Sequence, residues 1–72
     1  MPDLSPRERQ ILKMLLAEYS QNEISNALEL SYSRVNDVKT NIMNKWNVTT
    51  MVGLVKESIK QGYLDVEDWE IG

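Results

Sequence analysis

Apolar residues recur at three- and four-residue steps in four separate stretches, and polar residues with helix-capping chemistry stand between them. Ile11, Leu12, Leu15 and Leu16 form the first stripe, which Met14 extends. Ahead of it, Leu4-Ser5-Pro6-Arg7-Glu8 has the form of a helix start. Ser5 can accept hydrogen bonds from the first free amides, Pro6 suits the first helical position, and Glu8 stands at the reciprocal capping-box position. The spacing predicts a first helix from about Pro6 to about Ala17.

Ser20-Gln21-Asn22-Glu23 repeats the capping box, and Ile24, Ala27 and Leu28 then give a short second helix with one apolar stripe. Glu29-Leu30-Ser31 forms the connection. Ser31 caps a longer third helix in which Val35, Val38, Ile42 and Trp46 share one face. Asn47 follows as a residue that tolerates the left-handed conformation closing many helices. A fourth helix begins near Thr50, carries Leu54, Val55 and Ile59, and stops at Gly62. No strand pattern of useful length and no repeat is visible. The expected fold is all-α, with four helices. The second and third helices, joined by a short turn and with the third longer and polar outside, describe a helix-turn-helix whose third helix is the recognition helix.

Composition narrows the chemistry. The chain of 72 residues is long enough for one domain, and without cysteine or histidine it lacks disulfides, thiolates, the usual zinc ligands and most nucleophile-plus-base arrangements. No metal site, cofactor or small-molecule ligand is implied, and this inventory argues against an enzyme. The apolar runs are too short to cross a membrane or to read as a secretory signal, so the expected location is the cytoplasm. The net charge of -3 is unevenly placed. Four carboxylates, Asp65, Glu67, Asp68 and Glu70, lie near the end, whereas residues 1–64 carry eight basic and seven acidic side chains. The expected organisation is therefore a near-neutral domain over residues 1–64 and an acidic tail over 65–72.

Leu4-Ser5-Pro6-Arg7-Glu8-Arg9 with Ile11-Leu12, then Ser20-Gln21-Asn22-Glu23-Ile24-Ser25, then Val35, Lys39, Asn41, Ile42, Lys45 and Val48, together resemble the LuxR-type (GerE-like) DNA-binding domain. That family's domains occur alone or at the C-terminus of quorum-sensing receptors and response regulators. The resemblance implies transcription regulation by double-stranded DNA binding as a homodimer, with RNA polymerase as a further partner. Departures stand beside it. Glu18 and Asn47 replace family glycines, and a glutamate at positive φ is strained, which predicts a rearranged first turn. Asn36 and Asp37 stand where the family often has lysine and a small or apolar residue, and Val38 occupies its histidine position.

If Val35, Val38, Ile42 and Trp46 face the core, Ser33, Asn36, Asp37, Thr40 and Asn44 lie on the opposite face. Asn36 can pair bidentately with adenine, Asp37 can accept from cytosine, and Thr40 can reach a base edge or a thymine methyl, with Ser33 a further base contact. Arg34, Lys39 and Lys45 flank that face as candidates for phosphate contacts. Glu8, beyond capping, is implied by the resemblance to tether the first helix to the helix-turn-helix. Trp46 at this spacing is expected in the core, as are Met14 and Met43. Family members commonly pair through the fourth helix, for which Val52, Lys56 and Ser58 are candidates on its outer side. Tyr63 and Leu64 are expected to pack on the body, and the rest of the tail to weaken DNA binding electrostatically. The alternative is a helix-turn-helix-fold interaction module without DNA binding, suggested by the neutral body, Asp37 and the acidic end.

Overall fold

In each helix the first residues leave amides without a partner in the helix, and a hydroxyl supplies one. In the computed structural model, which describes residues 4–64, four helices follow in order: α1 (Pro6–Leu16), α2 (Gln21–Leu28), α3 (Tyr32–Lys45) and α4 (Met51–Lys60). Ser5, Ser20, Ser31 and Thr50 cap them, each side chain accepting from the amide three residues on. Both predicted capping boxes form. Glu8 Oε1 accepts from the Ser5 amide at 2.8 Å and Glu23 Oε1 from the Ser20 amide at 2.8 Å. Among the described residues there is no strand, and no helix is long and apolar enough to cross a membrane.

All four helices also end alike. Glu18, Glu29, Asn47 and Gly62 take left-handed backbone with φ of 70°, 56°, 56° and 87°. Behind each, the next amide returns to a carbonyl five residues back: Tyr19 to Met14, Leu30 to Ser25, Val48 to Met43 and Tyr63 to Ser58. This is the Schellman closure, which satisfies carbonyls that the helix leaves open. The first turn is therefore not rearranged, contrary to expectation: Glu18 itself adopts the positive φ. A side chain there costs on the order of 1–3 kcal/mol, and the closure with its recovered hydrogen bonds holds it.

Leu4, Ile11, Leu12, Leu15, Leu16 and Ile24 meet Val35, Val38, Ile42, Trp46, Leu54 and Val55 in one core. Each large apolar side chain so buried contributes roughly 1.5–3 kcal/mol before entropy is subtracted. α3 packs on both α1 and α2. Trp46 lies in the core and meets the Tyr63 ring at 5.7 Å between centroids, so Tyr63 and Leu64 pack on the body as expected. The expected effect of the tail over residues 65–72 lies outside the described residues.

Two expectations about the stripes need correction. Ala27 is exposed, and Ser25 is buried in its place, its hydroxyl donating to the Asn22 carbonyl at 2.8 Å. A small polar side chain that satisfies its hydroxyl within its own helix can lie against the core. Ser58 is likewise fully buried and donates to the Leu54 carbonyl at 2.8 Å. It follows Leu54 by four residues and Val55 by three, which puts it on the inner stripe of α4 rather than the outer side. Ser58 is therefore removed as a dimerisation candidate.

Candidate nucleic-acid interface

The position of α3 follows from its own amphipathic spacing. Val35 and Ile42 are fully buried and Val38 is nearly so, which fixes the rotation of the helix on α1 and α2. Ser33, Asn36, Asp37, Thr40 and Asn44 are consequently all exposed along the opposite side. Arg34 is exposed and Lys39 half-buried, one on each flank of this strip. Ser33 Oγ lies 3.4 Å from Ser31 Oγ, the hydroxyl that caps the helix at the Arg34 amide. The strip holds hydrogen-bonding groups of both kinds, and beside them one carboxylate.

Lys45 has a different setting. Its Nζ donates to Glu8 Oε1 at 2.7 Å, joining the last residue of α3 to the first turn of α1. The Glu8 side chain is 12% exposed and that of Lys45 35% exposed, so the pair sits at the edge of the core. Burial by itself raises the Glu8 pKa. The hydrogen bond from Lys45, that from the Ser5 amide, the lysine charge and the Ser5 side chain outweigh it and hold the carboxyl below its ordinary value. One oxygen of Glu8 thus serves both the capping box and the long-range ion pair.

Sequence spacing did not reveal Lys45 as the partner of Glu8, because the two are 37 residues apart. It also passed over Tyr32, the first residue of α3, which is 53% exposed beside Ser33, and Tyr19, 49% exposed before α2. An aromatic residue immediately ahead of a polar helical face was the available signal for Tyr32. On α4, Val52 is 64% exposed, Lys56 is exposed and Met51 adds further apolar surface.

A short helix, a tight left-handed turn and a longer helix that buries one face and offers a polar one define a helix-turn-helix domain. Comparison with known proteins gives the family. Residues 2–58 match bacterial regulatory proteins of the luxR family. The chain is similar to the transcriptional regulatory protein MctR of Rhizobium johnstonii, 32% identical over 59 residues that cover 82% of this chain and 28% of that protein. It is similar also to the transcriptional regulatory protein DegU of Brevibacillus brevis, 36% identical over 63 residues covering 88% of this chain and 27% of that protein. The chain thus spans a little over a quarter of the length of either relative. No solved structure matches it. The chain belongs to the luxR family of bacterial regulatory proteins.

Proposed function

We propose that residues 1–64 bind double-stranded DNA in a sequence-specific way, with α3 in the major groove and no catalytic step of their own. The observation that carries this reading is the outer strip of α3, where Ser33, Asn36, Asp37 and Thr40 are all exposed while the opposite face is locked in the core. In this reading Asn36 pairs with adenine, Asp37 accepts from a cytosine amino group, and Thr40 and Ser33 complete the base contacts. Arg34 and Lys39 position the helix through phosphates. Lys45 acts from the end of the helix, where its engagement with Glu8 makes it first a brace and only secondarily a phosphate contact. Glu8 is the tether that holds α3 at its angle to α1.

A single α3 covers too few bases to select a site in a genome, so we infer pairing of two domains on DNA through α4. Val52, with Lys56 one turn on, presents the surface for that contact. RNA polymerase as a further partner and the cytoplasm as the location belong to the same proposal, as properties of a transcription regulator.

Selection of bound sequences from random duplexes, followed by a salt titration on the selected site, tests the reading. A motif with two half-sites in inverted order, and an affinity that falls steeply with salt, are expected. An absence of any enriched motif, with no salt-dependent affinity for duplex DNA, would establish the protein-interaction alternative.

A further inference from the structure

Charge of one sign covers the outer face of α1. Arg7, Arg9 and Lys13 are exposed, and the one carboxylate of the helix, Glu8, is turned inward onto Lys45. None of the three cations has an ion-pair partner among the described residues. Helical spacing puts Arg9 and Lys13 on one side of this face and Arg7 on the other, with Pro6 and Gln10 between them, and the five residues line a shallow groove. The arrangement is unfavourable by itself. Arg7 and Arg9 stand at the positive end of the helix dipole, and Arg9 and Lys13 are like charges one turn apart. An anion laid along the groove relieves both terms. The inner face of α1 and the buried face of α3 meet in the same core, so the cationic face and the polar strip of α3 look out on different sides of the domain.

We propose that this face of α1 is a second duplex-binding surface, which holds the phosphate backbone of a further DNA segment by charge alone. It goes beyond the reading of α3 and rests on it only for the binding of two segments at once. What the face lacks points to this partner. Protein partners are anchored by buried aromatic and apolar side chains. The large apolar side chains exposed among the described residues are Tyr19, Tyr32, Met51 and Val52, none of them on α1. Three cations around a groove without such an anchor suit a ligand whose recognisable feature is a row of negative charges. The arginines add geometry, because a planar guanidinium pairs bidentately with phosphate oxygens, and Arg7 and Arg9 stand on opposite walls of the groove. Sequence plays no part in such contacts. The domain can then bridge two duplexes, one held by α3 through its sequence and one by α1 through its charge.

Amide chemical shifts of the full chain test this. In the complex with a selected duplex, an unrelated duplex added at low salt is expected to shift the amides of residues 6–13, while those of α3 stay as the selected site leaves them. Three phosphate contacts give a logarithmic salt slope of about -2.7, so this second affinity should fall about fortyfold from about 50 to about 200 mM salt. Arg9→Gln/Lys13→Gln leaves one contact, and the second binding should weaken at least about tenfold and then fall only about threefold to fourfold over the same range. Affinity for the selected duplex should stay within about twofold of the parent. The Trp46 indole resonance reports that the body stays folded, and Arg7→Gln/Lys13→Gln carries the same test should the first variant unfold. In the free chain the unrelated duplex should shift residues 6–13 whether or not selection yields a motif, which keeps failure of the α3 reading distinct from failure of this one. Shifts confined to α3, or a second binding that both variants leave intact, would overturn the proposal. A response of residues 6–13 to poly-glutamate and not to duplex would do so too, by assigning the face to an acidic protein.

Discussion

The two ends of α3 are held in different ways. At its C-terminal end Ile42 and Trp46 are in the core, Lys45 is bonded to Glu8 of α1, and Asn47 closes the helix in left-handed backbone. At its N-terminal end, past the buried Val35, the side chains of Asn36, Asp37 and Thr40 stand exposed. One helix therefore combines an end where an ion pair and a left-handed closure add to the buried face with an end held by Val35, Val38 and the Ser31 cap, whose outer side chains are left uncommitted. A reading surface needs both, since side chains can discriminate bases only when the helix under them does not move. The same division predicts which substitutions alter stability and which alter recognition.

The largest effect should come from the committed end. Ile42→Ala removes a fully buried side chain and is expected to cost about 2–5 kcal/mol in denaturant unfolding, with affinity for specific and random DNA lost together. A variant that unfolds normally yet loses site preference would break the division. Glu8→Gln should come next, at about 1–2 kcal/mol, because glutamine keeps the capping geometry while the charged bond to Lys45 is lost and the lysine is partly solvated. Its pH dependence is the sharper reading. The Glu8 pKa is lower in the folded chain than its ordinary value of 4.5, so the unfolded chain binds the extra proton first as the pH falls. The advantage of the parent over Glu8→Gln should be complete above the ordinary value and disappear as pH drops through the lowered one. A constant difference over that window would mean that the charge contributes nothing.

At the uncommitted end, Asn36→Ala should leave unfolding within about 0.5 kcal/mol of the parent and weaken binding to a selected site by about 1–3 kcal/mol, relaxing preference at one base position. Lys39→Gln should weaken all duplexes alike and make the salt dependence shallower. Equal losses on selected and random DNA for both variants would remove Asn36 from the base contacts. The smallest effect belongs to the left-handed closures. Glu18→Gly should stabilise by about 0.5–1 kcal/mol, because release of strain exceeds the added freedom of the unfolded chain, and Asn47→Gly should gain less because asparagine already tolerates that conformation. Thermal unfolding of the two variants side by side checks the order.

The helix starts were legible in the chain itself: serine or threonine at the cap and glutamate three residues on are local chemistry, and Ser5, Ser20, Ser31 and Thr50 all act where the pattern predicted. The core face of α3 was equally legible, because a run of four apolar residues at helical spacing has one way to be buried. From that face the exposed strip with Asn36, Asp37 and Thr40 followed. Helix ends were less so. Their closures are bonds between backbone groups, which any residue can make at a cost, so Glu18 and Glu29 carry a conformation that their identity disfavours. Burial of Ser25 and Ser58 was hidden because a hydroxyl satisfied by its own helix behaves as a small core residue, and composition alone assigns serine to the surface. The pairing of Glu8 with Lys45 was decided by tertiary structure alone. Each residue has a sufficient local reading, as a cap and as a flanking cation, and the choice of partner depends on the angle at which α3 crosses α1, which is set by the packing of both helices on the common core.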